Sequence, residues 1–193
     1  MLKGDYGTLL DRLGTRRDQV FAFLGWLEGE TDWLQAPAST SHHCAFEGGL
    51  LAHSRTVAKV LLELRPLLRP DLDEEACVIT ALFHDVGKCG TRAHPSSVRR
   101  PDGAWEMNPG RVAMSHAVRS VHMASRFLPL SEEEVQAIAY HDGQYVRANR
   151  VVKNREKPLL LLLHFADMWA SHVLELEAAG PGPDGTFHPR TSP

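Results

Sequence analysis

The sequence predicts an all-α domain, on three observations. Apolar residues recur at three- and four-residue steps along most of the 193 residues, period-two alternation of strand type is nearly absent, and capping residues stand where the helical stripes begin. At 43% apolar and 23% charged content the chain is of ordinary globular composition. At this length roughly 70% of the unfolded surface can be buried, so a core forms without disulfides or structural metal, and any metal present is expected to be functional. Residues 1–178 are expected to form one domain, and the Pro- and Gly-rich stretch over 179–193 a disordered tail.

The elements follow in order. A first helix over 6–27 is expected to break near Gly14 and Thr15 and to end at Gly29. A polar loop over 30–47 leads through Gly48-Gly49 into a second helix, 50–64, stopped before Pro66. Asp73 is a natural N-cap for a third helix, 74–85, whose Glu74 and Glu75 suit the positive end of its dipole. The segment 86–111 is a long loop in which Pro101-Asp102-Gly103 can close a small hairpin between 97–99 and 105–107. Ser115 caps a fourth helix reaching Phe127, and Ser131-Glu132-Glu133-Glu134 is a capping box for a fifth that ends near His141. Pro158 sits at the first position of a last helix, 159–178.

Charge and cysteine usage narrow the function classes. Lys plus Arg is 21 and Asp plus Glu is 24, a net charge of −3 that offers no basic field for a long nucleic-acid scaffold. Cys44, Cys77 and Cys89 form no C-x-x-C pair, so neither a zinc ribbon nor a disulfide framework follows, and a reducing cytoplasm is the expected location. The charged N-terminus does not read as a signal peptide and no apolar run reaches membrane-spanning length, so no membrane partner is expected. The oligomeric state is left open, a homodimer among the options.

Eleven histidines are the compositional outlier. His53 shares a stripe with Val57, Val60, Leu61 and Leu64; Cys77 and Ala81 lead to His84 and Asp85; Val135 and Ile138 lead to His141. Five leucines, 159–163, precede His164-Phe165-Ala166-Asp167, which sets a carboxylate within an apolar helix, an expensive place unless it is paired or metal-bound. A single histidine on an apolar stripe is more often a hydrogen-bonded core residue, and Asp167 alone could answer an arginine at the core edge. Together, His53, His84, Asp85, His116, His141 and Asp167 are a divalent transition-metal ligand set able to hold two ions about 3.5–4 Å apart.

Three segments carry a resemblance: Gly-Gly-Leu-Leu-Ala-His (48–53), Ala-Leu-Phe-His-Asp-Val-Gly-Lys (81–88) and Phe-Ala-Asp-Met (165–168). In that order the chain resembles the HD-domain metal-dependent phosphohydrolase superfamily across 42–172, which implies a helical bundle with a long loop or small hairpin after the HD motif. The opening His-His-x-x-x-x-Gly-Gly-Leu-Leu-x-His is similar to HD domains of bacterial 3′–5′ exoribonucleases and phage HD proteins. The resemblance implies that His53, His84, Asp85 and Asp167 hold one metal, that Asp85 bridges to a second, and that His116 and His141 match the extra histidines of binuclear members.

Further roles follow by analogy. Asp85 is placed in the catalytic set with Lys88, which can reach phosphoryl oxygens, and His43, which can protonate a leaving oxygen or contact phosphate; the rival readings are a solvated lysine and an ordinary loop histidine. Arg111, with Arg99 and Arg100, can form an anion-binding rim, against a plainly solvated loop. Asp142 is expected to orient an imidazole, the rival reading being a plain polar group in the loop after the helix. His164, one turn before Asp167, is expected to pack rather than ligate.

The function implied is hydrolysis of a phosphoester or phosphoanhydride in a nucleotide or short oligonucleotide, with two divalent transition metal ions (Fe, Mn, Ni, Co or Zn). The alternatives are a diiron oxygenase of the same superfamily, whose ligand set is the same, and a non-catalytic metal-dependent nucleotide-binding module.

Overall fold

A computed structural model describes residues 2–40, 42–91, 94–103 and 105–175. The tail expected over 179–193 lies outside them. After a 3-10 segment at Gly7–Arg12, the helices are α1 (Arg17–Glu30), α2 (Gly49–Leu68), α3 (Glu74–Phe83), α4 (His116–Ala124), α5 (Glu132–Tyr140) and α6 (Pro158–Trp169). The hairpin strands are β1 (Ser97–Arg99) and β2 (Trp105–Met107), antiparallel with Val98 opposite Glu106. The fold is therefore all-α with one small hairpin.

The capping residues act as expected. Asp73 accepts from the Ala76 N–H at 3.0 Å, Ser115 caps α4, and Ser131 and Glu134 close a reciprocal capping box on α5. Helices α3 and α4 stop short of expectation, at Phe83 and Ala124, and three other ends differ as well. Helix α2 runs through Pro66 to Leu68, because a proline in the last turn removes only one ladder bond. Helix α1 passes Gly29 to Glu30, where the Thr31 hydroxyl accompanies its own N–H in bonding to the Leu27 carbonyl. Helix α6 ends at Trp169 and continues as a π-helical turn over Ala170–Leu174.

Helix α2 packs on α3 and α6, and α5 packs on α4 and α6, so the C-terminal end of α3 is enclosed by neighbours. The core around it is aromatic at one end, with Phe23 4.8 Å from Phe83 and 5.1 Å from Phe127 between ring centroids. Where α3 stops, Val86–Lys88 makes one 3-10 turn tight against α4. Gly87 is required there: a Cβ would lie 1.9 Å from the His116 carbonyl oxygen, and the Gly87 N–H donates to the Ser120 hydroxyl at 2.8 Å.

Two buried polar groupings brace the bundle. Arg16 at the start of α1 bonds Glu75 of α3 at 3.1 Å and Glu134 of α5 at 2.7 Å, and Glu75 also accepts from the Gly14 and Arg16 N–H groups. Asp32 accepts from the N–H groups of Gly90 and Ser96 at 2.7 and 3.2 Å, which organises the first half of the long loop. No described helix is long and apolar enough to cross a membrane.

Candidate metal centre

The helix stripes deliver their polar residues to one place. His53 projects from the second turn of α2, His84 and Asp85 follow the last turn of α3, His116 opens α4, His141 and Asp142 follow α5, and Asp167 lies in α6. His53, His84, Asp85 and His141 are buried, each at most 1% exposed. The His116 side chain, at 29%, and that of Asp167, at 18%, face the opening.

Around Asp85 the geometry is two-sided. On one side, Oδ2 lies 3.6 Å from His53 Nε2 and 3.5 Å from His84 Nε2, with Asp167 Oδ1 3.1 Å from the same His53 nitrogen. On the other, Oδ1 lies 3.3 Å from His116 Nε2 and 3.4 Å from His141 Nε2. The Asp142 carboxylate completes that second side, 3.4 Å from His116 Nε2 and 3.8 Å from His141 Nε2. One carboxylate thus faces two groups of ligand-type atoms.

The imidazoles are held from behind. His84 Nδ1 bonds the Ala81 carbonyl and His141 Nδ1 the Ile138 carbonyl, each at 2.8 Å, while His53 Nδ1 lies 2.9 Å from Glu175. Each Nε2 therefore points inward. The buried Nε2 atoms of His53 and His84, and Asp85 Oδ1, have no hydrogen-bond partner. Buried polar atoms left without partners are costly unless something else satisfies them, and nitrogen and carboxylate donors converging at these separations fit divalent transition metals. Among the described residues the sets His53-His84-Asp167, His84-Asp85-His141 and His116-His141-Asp142 are each compact enough to hold an ion.

The electrostatics point the same way. Burial pulls the His53 pKa down, but Asp167 and Glu175 outweigh it and push it up to about 9. His141, opposed by burial and raised by Asp85, also reaches about 9. Burial alone dominates at His84, whose pKa is lowered. Against its own burial, the Lys88 ammonium and the His84 ring hold Asp85 well below the usual carboxylate range. The carboxylates thus favour positive charge at His53 and His141, while burial opposes it at His84.

Of the other residues singled out in the sequence, Lys88 is not a solvated lysine: its Nζ lies 2.5 Å from Asp85 Oδ2 with the side chain one quarter exposed. The His43 ring lies tilted against that of His53, 4.7 Å between centroids, with a buried, unpartnered Nε2, and burial first, then His53, lower its pKa to about 4. The loop that carries it is pressed onto α2 at Gly49, where a Cβ would lie 2.0 Å from the Cys44 carbonyl oxygen. Arg111 lines a cleft beside Lys88 and His116, whereas Arg99 and Arg100 turn to Gly103 and Asp102 within the hairpin and are not brought to it. His164 packs, its Nδ1 2.7 Å from the His141 carbonyl oxygen.

Asp142 does contact imidazoles, at their inward nitrogens. The Nδ1 of His141 is oriented by a backbone carbonyl, and Asp142 instead meets the inward Nε2 atoms. Sequence reasoning missed Glu175 altogether. It reaches His53 through the π-helical turn after α6, a feature with no signature in the local sequence.

Comparison with known proteins agrees with this architecture. The HD domain family model matches residues 50–169, most of the chain. Dihydroneopterin 2′,3′-cyclic phosphate phosphodiesterase from Methanocaldococcus jannaschii is 25% identical over 140 residues, 69% of this chain and 50% of that protein. The chain thus spans about half the length of the curated relative it matches. No solved structure matches it.

Proposed function

Because the chain belongs to the HD-domain family, we propose that it is a metal-dependent phosphohydrolase that cleaves a phosphoester or phosphoanhydride in a nucleotide or short oligonucleotide. The observation that carries this reading is the set of imidazoles anchored through Nδ1 with their Nε2 atoms turned on a shared aspartate. The relative's name, a phosphodiesterase acting on a cyclic phosphate, supports a small phosphoester as the bond class.

In this reading His53, His84, Asp85 and Asp167 hold one divalent transition metal, and Asp85, His116 and His141 hold a second, with Asp142 as a further donor to it. Bound there, the metals supply Lewis acidity toward phosphoryl oxygen and lower the pKa of water toward neutrality. The chain's own groups do the rest. Lys88, fixed against Asp85, presents a localised positive charge to non-bridging phosphoryl oxygens. The buried Nε2 of His43 faces the same cleft as Asp85 and Lys88, where it can hydrogen-bond the phosphate or the leaving oxygen. Arg111, beyond Lys88, offers donors to an anionic part of the substrate.

The test is phosphate release from nucleotides, dinucleotides and short single strands by wild type, His84→Ala and Asp85→Ala. Loss of hydrolysis in both variants is expected. Full activity in either contradicts the assignment, and release that persists anaerobically with manganese excludes the oxygenase alternative.

A further inference from the structure

The metal centre lies between two clefts of unlike charge. One, about 350 Å³, is lined by Asp85, Asp142 and Asp167 among other groups. The second, about 480 Å³, opens over Lys88 and His116 and contains Arg111 and Arg119, and among the described residues no Asp or Glu lines it. In a chain of net charge −3, a cleft with only cationic ionisable side chains is not a reflection of the average composition.

The two guanidiniums are anchored but not neutralised. Arg119 Nη2 donates to the Val112 carbonyl at 2.6 Å and Arg111 Nη2 to the Cys89 carbonyl, which fixes each group and leaves its remaining donors available. Among the described residues neither makes a salt bridge. Asp32, whose field reaches Arg111, has its oxygens committed to the Gly90 and Ser96 N–H groups. Burial and the Arg119 charge both lower the Arg111 pKa, so an anion between the two would relieve their repulsion. Helix α4 also begins at this cleft, with its cap Ser115 and first residue His116 among the lining, so its positive dipole end adds to the field.

We propose that this cleft is a subsite for a second phosphoryl group, so that the substrate carries two anionic groups, one at the metal centre and one held by Arg111 and Arg119. The assignment of the first group rests on the phosphohydrolase reading. The substrate class narrows accordingly, from any phosphoester to a nucleotide with two separate phosphoryl groups or an oligonucleotide end with a neighbouring phosphate.

The experiment is calorimetric titration of full-length, metal-loaded protein with AMP and with adenosine 3′,5′-bisphosphate, for wild type, Arg111→Gln, Arg119→Gln and Arg119→Lys. Wild type should bind the bisphosphate about tenfold or more tightly than AMP, the increment of one charge-assisted contact. Each Gln variant should bring that ratio toward one, and Arg119→Lys should restore part of it. Equal affinities in wild type, or a wild-type ratio in both Gln variants, overturns the subsite. Because the affinity ratio and phosphate release are separate readouts, the two readings fail separately. An Arg119-dependent ratio without any hydrolysis keeps the cleft and removes the phosphohydrolase. Hydrolysis that depends on His84 with an Arg-independent ratio does the reverse.

Discussion

Two buried polar clusters in this bundle use the same kinds of side chain to opposite ends. Around Arg16, groups from α1, α3 and α5 meet and every charge is answered: Glu75 accepts from Gly14, Arg16 and Thr15, and Glu134 takes both Arg16 and the Ser131 N–H. Around Asp85, groups from α2 to α6 meet and buried atoms of His53, His84 and Asp85 stay unanswered. A closed network holds helices together, whereas an open one is shaped for something the protein must bind. The difference lies in donor count. Arginine and backbone N–H groups saturate carboxylates, while imidazoles anchored through one nitrogen leave the other aimed inward.

The comparison can be broken most sharply at Asp85. Asp85→Ala removes the carboxylate that the two halves of the centre share, and metal content and hydrolysis should fall together, the latter by about three orders of magnitude or more. The fold should survive, because that carboxylate makes its contacts within the centre. Glu75→Gln is the counterpart. It should cost about 2–3 kcal/mol in chemical denaturation, since it leaves a largely buried Arg16 half-answered, and metal content should be unchanged. A variant that loses metal here would erase the distinction between the clusters.

Smaller effects sharpen the contrast. Glu175→Gln leaves every inward nitrogen in place but weakens the group that orients His53, so metal affinity should drop about 10- to 100-fold, measured by chelator competition. The closed cluster also predicts an acid response. Burial works to raise the Glu75 pKa, but its bonds to Arg16 and Gly14 outweigh that and hold it below the usual 4.5. A depressed folded pKa stabilises the fold above pH 4.5 and the benefit is lost as pH falls through the folded value. The stability gap between wild type and Glu75→Gln should therefore be full at pH 7 and shrink on acidification below pH 4.5; a gap independent of pH would contradict the pairing.

Much of the open cluster was legible because helix periodicity places side chains. His53, His84, His141 and Asp167 stood on or beside apolar stripes, and a polar residue on an apolar stripe is informative whatever the rest of the fold does. What periodicity cannot convey is a change of phase. At about 100° per residue an uninterrupted α-helix would turn Glu175 roughly 80° away from Asp167. The π-helical turn at Ala170–Leu174 alters that count, and Glu175 arrives at His53. Arg119 was illegible for another reason, and Asp142 was legible only as a neighbour of an imidazole. Their roles depend on where a loop turns and how α4 meets the hairpin, which are tertiary facts without local sequence patterns. Pro66 was misread because a proline's effect depends on how many turns follow it.

Metal content is the decisive property of this centre. Elemental analysis of native full-length protein should find about two transition-metal ions per chain in wild type, and almost none in Asp85→Ala that remains folded by circular dichroism. A wild-type protein without bound metal, or an Asp85→Ala variant with the full complement, would contradict the reading of this centre.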